Sequence, residues 1–141
     1  MKSELDDKLC KKYPKIFAKR SGSKMETCMY WGFACGDGWY NLIDQLCSNL
    51  QWNIDKNGQP QVVAEQVKEK FGGLRFYTGE ATPEQHAVIN FAEQLSYHIC
   101  ENCGTNQNLG KTSGWIKILC EDCSKDNTHP WTKIKEDEND S

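Results

Sequence analysis

No apolar run in this chain approaches the roughly 18 residues of a membrane span. The opening MKSELDDKLCKKYPK has neither an apolar core nor a small-residue cleavage site, so it does not read as a secretory signal. The sequence also lacks G-x-S-x-G, Walker A, H-E-x-x-H and G-x-G-x-x-G motifs. Histidine is scarce: the three are His86, His98 and His129. A lone histidine is more often structural or exposed than catalytic. These absences predict a cytoplasmic protein with no membrane span, no secreted disulfide scaffold and no recognisable catalytic constellation. An enzyme is the minority expectation.

What is present points to an ordinary folded chain with one special feature. At 141 residues a single domain is the default, and 38% hydrophobic with 11% aromatic residues is enough to build a core. The special feature is eight cysteines. In a reducing compartment, paired cysteines suggest a metal before a disulfide.

The net charge of −3 hides an asymmetry. Residues 1–24 hold eight Lys or Arg against three acidic residues, a local +5, which leaves −8 for the other 117. A duplex-DNA binder needs a broad basic face, and most of this chain repels phosphate. Any nucleic-acid contact is therefore expected to be local.

The chain divides into a basic N-terminal helix or arm (1–24), an α+β core (25–99), a cysteine ribbon (100–123) and a polar, acidic tail (124–141). In the arm, Leu5, Leu9 and Tyr13 recur at helical spacing up to Pro14. The segment CMYWGFACGDGWY (28–40) suggests short strands and a turn at Gly36-Asp37-Gly38, with Asp37 placed to cap the helix after it. Leu42, Ile43, Leu46, Cys47 and Leu50 form an apolar stripe that predicts a helix over about 38–51, stopping near Asn53. Thr82, Pro83 and Gln85 read as a capping box opening a second helix over about 82–99, with Val88, Phe91, Ala92, Leu95 and Ile99 as its buried stripe.

Two extended runs meet at Gly72-Gly73, which predicts a hairpin over about 61–78 with a two-residue turn. Taking the glycines as the turn, Phe71 opposes Leu74, Lys70 opposes Arg75, Glu69 opposes Phe76 and Lys68 opposes Tyr77. Alternation then puts Val67, Phe71, Leu74 and Phe76 on one face, with Glu69 among them, and Gln66, Lys68, Lys70, Arg75 and Tyr77 on the other. The fold expected is α+β: a small antiparallel sheet with this central hairpin, extended by strands from 28–35, two covering helices and a C-terminal zinc ribbon.

The strongest chemical signal is Cys100-x2-Cys103 followed by Cys120-x2-Cys123, with sixteen residues between the pairs. A CxxC turn aims two thiolates at one point, and two such turns close a tetrahedral site for one structural Zn²⁺. Asn106 to Gly114 reads as a loop, and Trp115 to Leu119 as a strand leading into the second pair. Gly104 suits the positive-φ position such turns often need. Cys10, Cys28, Cys35 and Cys47 have no such spacing and are expected as core cysteines rather than a second site.

The outer hairpin face of Lys68, Lys70, Arg75 and Tyr77 is the candidate ligand surface. Three cations beside a ring suit a phosphate group and a stacked base or a peptide aromatic, although an outer sheet face also carries lysine simply to blunt edge pairing. Asp37 and Trp39 are the alternative ligand-binding positions, in the aromatic, glycine-rich segment.

The segments Trp31–Cys47, Gln66–Tyr77 and Ile99–Cys123 resemble a small family of uncharacterised tailed-bacteriophage proteins with a C-terminal CxxC…CxxC ribbon. The resemblance covers about two-thirds of the chain and omits the arm and tail. It implies an accessory phage protein working in the bacterial host cytoplasm, and it carries no catalytic residue over. On that context the expectations are a non-enzymatic binding protein that sequesters a phosphate-bearing ligand such as a nucleotide signal, or one that binds and inhibits a host protein. A homo-oligomer with its site between protomers fits the first expectation.

Overall fold

A computed structural model describes residues 1–22 and 28–135, and of Cys28 only its main chain. In chain order its elements are α1 (Ser3–Lys12), β1 (Phe33–Ala34), α2 (Tyr40–Asn57), β2 (Ala64–Lys70), β3 (Gly73–Thr78), α3 (Pro83–Ser96), β4 (Leu109–Thr112), β5 (Ile118–Cys120), α4 (Glu121–Ser124) and β6 (Trp131–Lys133). The fold is α+β, with two three-stranded sheets ordered β1-β2-β3 and β5-β4-β6. No described helix is long and apolar enough to cross a membrane. Of the basic arm, Ser23 and Lys24 lie outside the described residues, as do residues 136–141 of the tail.

The apolar stripe of α2 behaves as its spacing predicts: Leu42, Ile43, Leu46, Cys47 and Leu50 are all buried. They meet Leu9 from α1, Ile16 and Phe17 after it, and Phe33, Val67, Leu74 and Phe76 from the sheet. Each such side chain contributes roughly 1.5–3 kcal/mol on burial. The helix runs past the expected stop at Asn53. Asparagine and glutamine side chains bridge successive turns there, with Gln51 donating to Asp55 at 3.0 Å and Asn57 to Asn53 at 2.7 Å. It ends where Gly58 adopts the left-handed conformation at φ 71°.

The hairpin forms, but its register differs from the expected one by two residues. Lys70 pairs with Gly73, Glu69 with Leu74, Lys68 with Arg75, Val67 with Phe76 and Gln66 with Tyr77. The turn is Phe71-Gly72, both at positive φ (54° and 85°). Gly73 belongs to β3, where a β-carbon would run into the Tyr97 ring. A two-residue slip leaves the faces unchanged, because side chains alternate with a period of two. Only Phe71 is displaced, from the core face to the turn, where it is exposed.

Residues 28–35 supply less sheet than expected. A 3₁₀ turn occupies Cys28–Trp31, and only Phe33 and Ala34 pair, in parallel, with Val67 and Lys68. The first sheet is therefore mixed rather than antiparallel. Asp37 does not cap α2: it opens a 3₁₀ turn over Asp37–Trp39, and Trp39 precedes the helix.

The capping box of α3 is present, with Thr82 Oγ1 accepting from the Gln85 N–H and the Gln85 side chain accepting from the Thr82 N–H. Its buried face is Gln85, Ile89, Ala92 and Ser96; of the expected stripe Ala92 is buried and Val88 and Ile99 pack partly buried against the core, whereas Phe91 and Leu95 do not, and the helix ends at Ser96. The reason is where it packs. Along the outer edge of β3, the Leu74 N–H donates to Ser96 Oγ at 2.8 Å and the Phe76 N–H to Glu93 at 2.9 Å. The helix thus satisfies edge donors with polar side chains and turns Phe91 and Leu95 outward, 66% and 37% exposed.

The ribbon holds two strands the sequence did not suggest. β4 lies in the expected loop and β6 in the expected tail, each pairing antiparallel in the second sheet. The strand before the second cysteine pair is β5 alone, so Trp115, Ile116 and Lys117 precede it.

Candidate metal centre and ligand face

The two CxxC turns meet as their spacing requires. Ligand atoms of Cys100, Cys103, Cys120 and Cys123 all lie within 4.8 Å of one another, and the Cys103 and Cys120 sulfurs are 3.8 Å apart. A tetrahedral S₄ site with metal–sulfur bonds of about 2.3 Å has sulfurs about 3.8 Å apart. The cluster therefore fits a metal ion bound by four thiolates.

Main-chain geometry shapes both turns. Gly104 has φ 86°, its N–H donates to the Cys100 carbonyl at 2.9 Å, and the Cys100 N–H donates to the Thr105 carbonyl at 2.8 Å. In the second turn the Cys123 N–H donates to Cys120 Sγ at 3.4 Å, at the start of α4. Burial raises the Cys100 thiol pKa, but N–H groups of Cys103, Cys120 and Asn102 outweigh it and hold the thiol below its ordinary value. Cys123 is pushed up to about 12, first by burial and then, against an Asn102 hydrogen bond, by the other three thiols.

Cys10, Cys35 and Cys47 are different, and the Cys28 side chain lies outside the described residues. Burial first, and acidic neighbours second, push Cys10 and Cys35 up to about 12, and Cys47 is raised well above the ordinary thiol value. They join no metal-competent cluster among the described residues.

The four-cysteine cluster sits on the core through glycine. The Gly38 N–H donates to the Glu101 carbonyl at 2.8 Å. A β-carbon on Gly36 or Gly38 would collide with main-chain atoms of Cys100, Glu101 or Gly104. Trp39, fully buried, donates from Nε1 to the Ile99 carbonyl at 3.3 Å. The glycine-rich segment is thus the seat of the first cysteine turn. Trp39 offers no surface to a ligand, because it is wedged beneath that turn. Asp37 is tied to the start of α1, accepting from the Lys2 N–H at 2.8 Å.

A half-buried ionic clamp joins hairpin and ribbon. Glu69, on the core face, accepts from the Gly72 N–H at 2.9 Å and lies 3.7 Å from the Lys117 ammonium. Lys117 also reaches Glu101 at 3.3 Å, and Glu101 accepts from the Gly36 N–H at 2.9 Å. Burial raises the Glu101 pKa, while Lys117 and the Gly36 N–H oppose it. One wall of a cleft of about 580 Å³ between β1 and the ribbon is built from Glu101 and Lys117.

Lys68, Lys70, Arg75 and Tyr77 do share the outer hairpin face, with Lys68 directly across from Arg75. None of these three cations has a carboxylate partner within 4 Å among the described residues. Arg75 donates to the Tyr97 hydroxyl at 3.3 Å and to the Leu74 carbonyl at 3.0 Å. Lys70 lies 5.7 Å over the Phe71 ring, and Tyr77 is 41% exposed. Tyr97 was missed from the sequence, although its place one residue past α3 suits a side chain that wraps the edge of β3. An apolar groove between α2 and α3, lined by Leu42, Leu46, Val88, Phe91 and Leu95, was also missed. Its signal was an apolar pattern on α3 broader than one buried stripe.

No protein-family model, curated protein or solved structure matches this chain.

Proposed function

We propose that this chain is a zinc-stabilised binding protein whose outer hairpin face holds a phosphate-bearing small ligand such as a nucleotide. The observation that carries the reading is the collection of Lys68, Lys70 and Arg75 on one face, none with a carboxylate within 4 Å among the described residues, although Glu93 bears on Arg75 from farther off. A cation left unpaired on a rigid strand is available to an anion, and Arg75 offers a planar fork for two phosphate oxygens. Tyr77 stands beside it for stacking. Tyr97 acts through Arg75 as a positioning residue.

Zinc is the metal best suited to four thiolates in a tetrahedron. Four protein ligands leave no place for a reactive water, so the ion is structural. Its role is to hold a ribbon whose own buried apolar cluster is only Cys100, Leu119 and Cys120, with Leu109, Cys123 and Trp131 against it. The bacterial host cytoplasm and the phage setting implied by the resemblance belong to this proposal, as does interference with a host or defence process by sequestration.

The test is calorimetric titration of the zinc-loaded chain with mono-, di- and cyclic nucleotides. Arg75→Ala is expected to weaken binding by about 2 kcal/mol, the scale of a lost charge-assisted hydrogen bond. Tyr97→Phe should weaken it less. Nucleotides that bind neither wild type nor variants, or bind both alike, refute the face. A second reading, a module that binds a host protein, rests on the exposed Phe91 and Leu95 beside the α2–α3 groove. It predicts capture of one host protein that Phe91→Ser abolishes and Arg75→Ala does not.

A further inference from the structure

The ribbon carries a second recess that the hairpin face does not explain. It is an open depression of about 600 Å³ between the β4–β5 turn and β6. Lys111 and Lys135 line it beside Ile116 and Ile134, and Thr132 stands directly across from Lys111. Among the described residues no carboxylate lines it, and neither Lys111 nor Lys135 is in an ion pair. Lys133 also borders it, but it pairs with Gly110, so its side chain leaves the other face of the sheet and donates to the Asn108 side-chain carbonyl at 3.4 Å. The acidic residues after Lys135 in sequence lie outside the described residues.

Trp115 stands at the lip of this recess, between the lining residues Gly114 and Ile116, and is 65% exposed. It is not a residue the fold needs outside: its carbonyl accepts from Thr112 Oγ1 at 2.6 Å, so the main chain holds the turn while the indole stays free. At the other end, the hairpin tip packs on Ile116 and Ile118 through Gly72 and leaves Phe71 66% exposed. Two exposed rings therefore flank a lysine-lined recess.

We propose that this recess binds single-stranded nucleic acid, with bases stacking on Trp115 and Phe71 and phosphates held by Lys111 and Lys135. Three features select that occupant. Stacking platforms beside a cationic groove are what an unpaired strand requires, since each base has a π-face and each link a phosphate. A duplex is disfavoured because it is broad, and outside the first 24 residues the chain sums to −8, so cationic contact is local rather than spread over a wide face. A lipid surface is disfavoured because the lysines and Thr132 line a concavity that a flat headgroup layer does not follow. This site meets the hairpin face only at the tip, where Lys70 lies over the Phe71 ring; Trp115, Lys111 and Lys135 belong to the ribbon, so their variants test it separately.

The experiment is fluorescence anisotropy of a short labelled oligothymidylate with the full, zinc-loaded chain over a salt series, beside the matching duplex and phosphatidylserine vesicles. The single strand is expected to bind more tightly than the duplex, with affinity falling as salt rises. Trp115→Ala should weaken it roughly five-fold or more, the scale of one lost base stack. Lys111→Gln with Lys135→Gln should flatten the plot of log affinity against log salt by about 1.4, that is about 0.7 for each phosphate no longer neutralised. Lys56→Gln, on the exposed end of α2, should leave the slope unchanged. Zinc content and circular dichroism confirm that each variant is folded. The proposal is overturned by absence of binding at low salt, by duplex binding as tight as the single strand, or by binding that Trp115→Ala leaves intact. Trp115-dependent binding to vesicles without binding to the oligonucleotide overturns it equally.

Discussion

Replacing Gly38 by alanine should unseat the metal ribbon from the core. Gly38 does not occupy the left-handed region, so the substitution carries no backbone penalty of that kind, and its effect is steric. The added methyl would lie 2.6 Å from both the Glu101 carbonyl oxygen and the Gly104 nitrogen, and closer still to the Cys100 carbonyl oxygen. All three are main-chain atoms of the first cysteine turn, so no side chain can swing away, and the turn itself must move. Overpacking of this kind costs about 1–3 kcal/mol. Displacing the turn also loses the hydrogen bond from the Gly38 N–H to Glu101, worth about 1 kcal/mol. A total of about 3 kcal/mol is expected, or a fall in Tm on the order of 10 °C for a chain of this size. Gly58→Ala is the control. Nothing lies within 4 Å of its β-carbon, but its φ is 71°, so it isolates the conformational penalty, about 1 kcal/mol. The assay is thermal unfolding of both variants with metal bound, followed by competition with a chromophoric chelator, in which Gly38→Ala should release metal more readily. If Gly38→Ala unfolds no earlier than Gly58→Ala and keeps its metal as firmly, the seat is not tight and the inferred docking is wrong.

The packing of α3 is checked by a pair of truncations in denaturant: Ile89→Ala should cost about 2–4 kcal/mol, whereas Phe91→Ser, at an exposed position, should fall within about 0.5 kcal/mol of wild type. Burial tends to raise the Asp44 pKa, but hydrogen bonds from Lys12 at 2.9 Å and the Tyr13 hydroxyl at 2.6 Å hold it below the ordinary value. A carboxyl depressed in the folded state stabilises the fold above its unfolded pKa and loses that contribution as pH falls through the folded one. Asp44→Asn should therefore be less stable at neutral pH and lose less on acidification, read by denaturant midpoints from about pH 7 down to about pH 3. Removing the metal with a chelator should abolish hydrogen-exchange protection in β4, β5 and β6 while β2, β3 and α2 keep theirs. Equal loss across both sheets would mean that the core depends on the metal as well.

Features governed by local spacing were legible in the sequence alone. The CxxC pairs announce their cluster because two residues between cysteines suffice to turn both sulfurs to one point. The α2 stripe and the α3 capping box follow from the helical repeat and from hydrogen bonds spanning three residues. The hairpin faces were legible even though the turn was misplaced, since a slip of two residues preserves which side chains lie together.

What the chain alone did not reveal depends on residues far apart in sequence. Gly73 looks like a turn residue until Tyr97 is laid across it, and Gly36 and Gly38 look like a loop until the Cys100–Gly104 turn is seated on them. Trp39 and Asp37 looked like a binding pair, but one supports the first cysteine turn and the other anchors α1. The buried face of α3 is chosen by the open edge of β3, which draws Ser96 and Glu93 inward as acceptors and leaves Phe91 in water. Periodicity says that a helix has a face to bury. Only the partner's unsatisfied N–H groups decide which face that is.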